Sequence, residues 1–398
     1  MLLHWKEGSG NDVPNVNVDR KITSPQFSEK NNLLVHKETI QVVSQMMEHW
    51  ESTGEINGEI DITKNMMNVA LHIISSAAFG KQLDWVEDAT KIQDGHKRTF
   101  KQNLQFVVHE LINYIGTPKF LFYLPIPKLK ELEKFHQYLV ELYQDAKKPE
   151  NLNKSNLMSA LVKGSMNENE FSSLSDRELI GNQFIFLHET TAGTLNFAFT
   201  LLANNPKMQD RLYQEITATC GNELPDYKHL NEVPYTFAVI NETLRMYPPV
   251  VSIPKITDGE QKLGRYVLPD KTDISIHSHG LQFNPKYWGP DPLKFRPERW
   301  FADQECAVSA SKVKERLSEY TSIKSFFKYD KWAFVPFSEG VRSCLGRRFA
   351  EVEMLVVLLM ICQRYEICAP KGEDALKSSN FITLKTSEPV SLIFKKRK

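Results

Sequence analysis

Cys344 has the clearest chemical prospects of any residue in the chain. It lies in the run Phe337-Ser-Glu-Gly340-Val-Arg342-Ser-Cys344-Leu-Gly346, directly before an apolar stretch of helical pattern. Backbone N–H groups of such a loop and of the first helical turn point at the sulfur, and the helix dipole favours negative charge there. A thiol so placed ionises readily. Gly340 and Gly346 permit close approach of a flat group, and Arg342 offers a cation beside it. A lone cysteine is by default a small buried hydrophobe, so only the surrounding pattern speaks for chemistry.

Two further groupings stand out. Glu242 and Arg245 share one helix face at i, i+3 in NETLRMYPP. Alone, such a pair is a surface contact worth roughly a few tenths of a kcal/mol. Glu189, Thr190 and Thr191 interrupt an apolar helical run in FLHETTAGT. Polar side chains there are costly unless they meet solvent or a partner, and a threonine bonding back to a carbonyl one turn earlier is the plain reading.

The elements that must position these residues can be read from periodicity. Ser175 followed by Glu178 is a capping box opening a helix over about 176–203, which Asn205-Pro206 ends. Helices follow over about 206–219 and 233–246, until Tyr247-Pro248-Pro249 breaks the pattern. Short β-like runs come at Arg265–Leu268 and Asp273–His277, then a proline-rich aromatic meander, WGPDPLKFRPERW. An apolar helix over 347–364 and β-like runs at Phe381–Lys385 and Val390–Phe394 close the sequence. Upstream, residues 33–115 read mostly as helix, with Ile62, Met66, Val69, Ala70, Ile73 and Ile74 on one face. Thr117–Lys128 reads as a loop, 129–148 as helix, and 149–175 as polar connections around a short helix, Leu157–Leu161. The chain is mainly α with minor β, and without regular βα alternation it has no Rossmann sheet.

Composition narrows the function classes. The 49 Lys and Arg residues balance 49 Asp and Glu residues, which gives no support to a nucleic-acid binder. Five cysteines cannot all pair, and none shows CxxC or zinc spacing, which favours a reduced, intracellular setting. A membrane span needs about 20 mostly apolar residues. The longest late run, MLVVLLMIC from Met354 to Cys362, is shorter, and MLLHWKEGSGNDVPN turns polar after three apolar residues. The reading is a soluble or peripheral chain with no transmembrane anchor.

The whole pattern F-x-x-G-x-R-x-C-x-G resembles the haem-binding loop of the cytochrome P-450 superfamily. The resemblance implies that Cys344 is the axial thiolate ligand of haem iron, with Arg342 touching a propionate and Phe337, Gly340 and Gly346 shaping the cofactor site. Glu242 and Arg245 match the family's ExxR motif, and Arg299 in FRPERW completes its structural triad. Glu189 and Thr190 match the acid and threonine that relay protons on the distal helix. Ser24-Pro25-Gln26-Phe27-Ser28-Glu29-Lys30-Asn31-Asn32 resembles fungal microsomal members, so the likeness runs from about Arg20 to the end. This divides the chain into a poorly matched segment, 1–19, and a single haem domain, 20–398.

Departures accompany the likeness. The family's N-terminal anchor and first β region have no counterpart, and its W-x-x-x-R would need tryptophan at Val16 opposite Arg20, with Trp5 the nearest. Before His188-Glu189, bulky Phe186 and Leu187 replace the small residues that leave room for oxygen, as though roughly three residues were deleted, turning the upstream helix by about 60°. Lys255 falls at a basic propionate contact or is simply an exposed lysine, and Phe283 carries no assigned role.

The expected activity is a haem-thiolate monooxygenase using haem b iron, with electrons from NADPH through a separate reductase. It would insert one oxygen atom of O2 into a small apolar substrate, in fungal secondary metabolism. By family position Val250, Val251, Ser252, Ile253, Thr386, Ser387 and Glu388 reach the substrate, and Arg347 and Arg348 face the reductase. The family's usual place is the endoplasmic reticulum membrane. The alternatives are a catalytically impaired, truncated member and a haem-thiolate isomerase or dehydratase.

Overall fold

Helices carry most of the described chain, and short antiparallel strands tie together segments far apart in sequence. The computed structural model describes residues 24, 27–86, 99–103, 105, 127, 140–152, 154, 156–166, 189–319, 322–340, 343–370, 378–380 and 383–397. The chain divides into two units, Met1–His49 with Met67–Glu189 and Trp50–Met66 with Thr190–Lys398. The Ser175 capping box, the segment 176–188, Trp5, Arg20 and Arg342 lie outside the described residues.

The helical reading of 33–115 resolves into α1 (Glu29–Thr53) and α2 (Ile62–Phe79), which the first unit holds up to His49 and from Met67, and between them in sequence comes a strand of the second unit, β1 (Glu59–Asp61). The expected short helix is α3 (Leu157–Met166), longer than its apolar core. Val35, Val42, Val43 and Met46 of α1 are buried, as are Val69, Ala70 and Ile73 of α2. The hydroxyl of Ser76 donates to Glu38 Oε2 at 2.6 Å, joining the two helices by a buried polar bond. Gly80 ends α2 at φ +66°, where a Cβ would lie 2.7 Å from Asn156 Nδ2, so both conformation and space demand glycine.

His72 of α2 is 1% exposed, and neither ring nitrogen has a hydrogen-bond partner. Its ring sits 5.3 Å from that of Trp85, whose carbonyl accepts from Lys101 Nζ at 3.3 Å. Burial, reinforced by the Lys101 charge and weakly opposed by Asp84, pushes the imidazole down to about 3.

In the second unit, α4 (Glu189–Asn204), entered at Thr190, leads through α5 (Pro206–Cys220) to α6 (Pro234–Met246). All of α6 is buried. Its N-terminus has no side-chain cap of its own. Glu215 of α5 supplies it, accepting from the N–H groups of Tyr235 and Thr236 at 2.8 Å each. A carboxylate there answers the orphan donors and positive end of the helix. After α6 come β2 (Ser252–Ile256), β3 (Gln261–Leu263), β4 (Tyr266–Leu268), β5 (Asp273–His277) and the single turn α7 (Ser278–Gln282). Strand β2 pairs with β5 and β3 with β4. The sequence reading missed β2 because Pro254 sits inside it, and proline is confined to strand edges.

The apolar helix read at 347–364 is α8 (Arg347–Arg364), with Glu351 through Cys362 all buried. It packs against α5 and α6. Such all-round burial marks a core helix, and it also buries Glu353, whose carboxyl rises to about 8 because burial disfavours its charged form. Strands β6 (Tyr365–Cys368) and β9 (Ser391–Lys396) follow, with the hairpin β7 (Ser378–Asn380) and β8 (Leu384–Thr386) between them. One sheet has the order β1–β9–β6, with Glu59 opposite Ile393 and Cys368 also opposite Ile393. Among the described residues no helix is long and apolar enough to cross a membrane.

The buried His72 makes the fold acid-sensitive. Its folded pKa lies below the unfolded value, so the unfolded chain binds the extra proton and stability falls as pH drops from about 6.5 towards 3. Urea unfolding at pH 7 and pH 5 should show His72→Phe losing about 2 kcal/mol less than the parent across that interval. Equal losses would refute the assignment.

Candidate functional site

The best-defined cluster forms around Glu242. Its carboxylate is fully buried and accepts from Arg245 Nε at 2.8 Å and Arg245 Nη2 at 2.9 Å. Arg299 Nε adds a bond at 2.8 Å, the N–H of Arg296 one at 3.0 Å, and the Trp300 indole one at 3.0 Å. The structure thus brings together Glu242, Arg245 and Arg299. Arg299 spends its other donors on the carbonyls of Trp288, Asp291 and Lys294, at 2.6, 3.0 and 2.9 Å. Those bonds hold the WGPDPLKF meander, which has too few regular backbone bonds to hold itself.

Sequence reasoning missed Gln282. Its amide donates to the carbonyls of Leu244 and Arg245 at 3.0 and 2.9 Å, and Arg245 Nη1 returns a bond to the Gln282 carbonyl at 2.7 Å. It satisfies the last turn of α6 from 37 residues away, and no local pattern announces that. Phe283, left without a role, presents its ring 5.5 Å from the Arg245 guanidinium, and Trp288 presents its own at 5.3 Å.

The cysteine loop is fixed by its backbone. Cys344 N–H donates to Phe337 O at 2.8 Å, Ser343 N–H to Gly340 O at 3.0 Å, and Ser338 N–H to Val335 O at 3.0 Å. Ser338 adopts φ +57° and Gly340 φ +80°. A Cβ at Gly340 would meet nothing within 4 Å, so its left-handed backbone, not crowding, calls for glycine. Gly346 caps α8 at φ −79°, open to any residue. Phe337 is half-buried, with the Arg347 guanidinium 5.3 Å from its ring.

Cys344 is exposed, whereas Cys220, Cys306 and Cys362 are buried. Burial drives those three thiols up to about 11, 11 and 12. Cys368 is half-buried, so the most open thiol stands at the loop that the sequence singled out. From β2, Lys255 Nζ reaches Ser338 Oγ at 3.3 Å, which brings a cation onto the same loop. An exposed soft ligand, a glycine turn and an adjoining cation fit a haem with one thiolate ligand and anionic propionates.

Along α8, Arg347 Nε bonds Glu351 at 3.0 Å and its Nη1 lies 3.6 Å from Glu339. Arg348 and Lys324 approach the same Glu351 at 3.7 and 3.4 Å. Three cations thus share two carboxylates, leaving this face positive.

Glu189 and Thr190 open the described part of α4, both half-buried. The Thr190 carbonyl accepts from Thr194 Oγ1 at 2.8 Å, a threonine bonding back one turn. Farther along, Phe197 stacks on Tyr247 at 4.3 Å with the rings 10° apart. The two segments read as substrate-facing converge, since Leu384 N–H donates to Pro249 O at 2.8 Å. Val251, Ser252 and Ile253 are half-buried and Val250 is more open. Thr386 is buried, while Ser387 and Glu388 are exposed.

Removing a buried counter-charge is among the costlier changes a core can suffer. Glu242→Gln, which keeps the shape, should lower stability at pH 7 by about 3–5 kcal/mol in urea unfolding. A loss below about 1 kcal/mol would show that the cluster does not hold the meander.

Comparison with known proteins fits this geometry. The Cytochrome P450 family model matches residues 10–394. The chain is 36% identical over 371 residues to Cytochrome P450 monooxygenase 124 of Postia placenta, covering 87% of this chain and 66% of the relative. It is 31% identical to Echinocystic acid 23-monooxygenase of Saponaria officinalis, covering 95% and 71%. The chain therefore spans about two thirds of the length of the curated relatives it matches. In fold it is similar to a crystal structure of a cytochrome P450, with a TM-score of 0.76 at 22% identity, over 98% of this chain and 80% of that one. A family match across nearly the whole sequence, reinforced by a buried Glu–Arg–Arg cluster and an exposed thiol at the head of a core helix, means that this chain belongs to the cytochrome P450 family.

Proposed function

We propose that this chain is a haem-thiolate monooxygenase that inserts one oxygen atom of O2 into a small apolar organic substrate. Membership of the family implies haem iron and electrons from a redox partner. The observation that carries the proposal is the exposed Cys344 on a backbone-fixed loop ahead of α8. When bound, the haem supplies the oxygen activation and electron chemistry, which belong to the cofactor.

This chain's residues do the rest. Cys344 presents a thiolate, and its N–H bond to Phe337 O fixes the direction from which the sulfur approaches. Gly340, Gly346 and Phe337 shape the bed for the flat group, and Arg342 with Lys255 answers its carboxylates. Glu189 through its carboxyl and Thr190 through its hydroxyl pass protons toward the site from the start of α4. Farther along the same helix Phe197 stacks on Tyr247 and adds apolar surface there. Val250–Ile253 and Thr386–Glu388 face the substrate, and their convergence through Leu384 and Pro249 supports the pairing. Glu242, Arg245 and Arg299 hold the meander and do not touch the reaction.

Electrons come from NADPH through a separate flavoprotein reductase, which the positive face around Arg347, Arg348 and Lys324 attracts. The reading places the chain inside the cell at the endoplasmic reticulum. Similarity to fungal monooxygenases supports a role in secondary metabolism.

The dithionite-reduced protein should give a strongly red-shifted Soret band with carbon monoxide, and Cys344→Ala should abolish it. With that band present, a purified reductase and NADPH should drive substrate-dependent oxygen uptake. An unshifted band, or no haem at all, would overturn the proposal.

A further inference from the structure

The expected substrate-facing strand is not held by its own hairpin. Strands β7 and β8 contribute three residues each and form a separate two-stranded sheet. Two strands alone are marginal in water. What fixes β8 is α4. Asn196, 3% exposed, donates both amide hydrogens across the gap, to Thr386 Oγ1 at 3.2 Å and to Thr63 Oγ1 at 3.0 Å. One turn earlier on the same helix face, a Cβ at Gly193 would lie 3.8 Å from Leu384 O, so β8 runs against α4 at both positions. Thr63 in turn accepts from Val390 N–H at 2.9 Å, and Ile62 N–H donates to Val390 O at 2.9 Å. Both ends of the segment 384–390 are therefore referred to a single amide, and through Leu384 N–H to Pro249 O the Val250–Ile253 segment is referred to it as well.

We propose that Asn196 is a positioning residue that sets the substrate end of the pocket, by clamping Thr386 and Thr63 and so fixing β8 and the Pro249–Ile253 segment against α4. The substrate half of this inference rests on the monooxygenase reading, whereas the clamp does not. Asn196 touches neither the cysteine loop nor the Glu242 cluster in any bond described above. Its loss should therefore change how a bulky ligand fits while leaving small ligands of the iron unaffected.

The experiment uses the holoprotein with two probes, imidazole and 1-phenylimidazole, titrated by the Soret shift. Asn196→Ala and Thr63→Val should each weaken 1-phenylimidazole about tenfold, the equivalent of one buried hydrogen bond, with imidazole affinity and the carbon monoxide band unchanged. Thr63→Ser keeps the hydroxyl and should bind both probes as the parent does. Unchanged 1-phenylimidazole affinity in Thr63→Val, or an equal loss in Thr63→Ser, would overturn the inference. Should Asn196→Ala fail to fold, Thr63→Val and Thr63→Ser carry the test. If the parent binds no haem, the monooxygenase reading fails, and amide exchange at Leu384 decides the clamp. Faster exchange in Thr63→Val than in the parent supports it, and equal exchange overturns it.

Discussion

One buried carboxylate governs this structure. Glu242 gathers two guanidinium groups, an indole and a backbone N–H in a place with no solvent. In water such an ion pair is worth little, and inside a protein it stabilises only if every remaining donor finds an acceptor. Here they do. Arg245 ends on the Gln282 carbonyl, and Arg299 ends on three carbonyls of the meander. The charge cluster therefore converts a proline-rich segment with few bonds of its own into a fixed support ahead of the cysteine loop. Charge that would be costly alone becomes the means of ordering irregular backbone.

The same logic appears at α6. Glu215 is buried on α5, and burial raises its carboxyl against the pull of Arg211 and the bonds from α6. A group from a neighbouring helix thus does the capping that Val233, at the N-cap position, cannot do. Both ends of α6 are satisfied from outside, by Glu215 at the start and Gln282 at the finish. Only the middle of that helix is self-sufficient, which suits an element buried along its whole length.

Legibility followed the range of the interactions. α8 was legible from the apolar run Met354–Cys362 at its centre, and α5 and α6 were legible because prolines mark their starts. Cys344, Glu242, Arg245 and Arg299 were visible as residue types at fixed spacing, since side chains that hold a site must recur in order. What stayed hidden depends on distant partners. Gln282 looks like any surface amide, and Asn196 like a polar intrusion on an apolar helix, until residues 63 and 386 arrive beside it. Strand β2 was lost to Pro254, whose missing N–H matters only once its place in the sheet is known. Gly340 was read as admitting a flat group, and the structure adds a second reason for glycine there, its left-handed backbone.

The order β1–β9–β6 bears on how the protein comes into being. The middle strand is the one made last, so residues 59–61 have no sheet partner until residues 391–393 exist. A chain emerging from the ribosome exposes the apolar faces around Trp50 and Ile60 for more than three hundred residues before that partner is made. Closure of that sheet waits on residues 391–396, and a chain released short of Phe394 would leave the Trp50 indole, now 5.0 Å from that ring, without one of its aromatic neighbours.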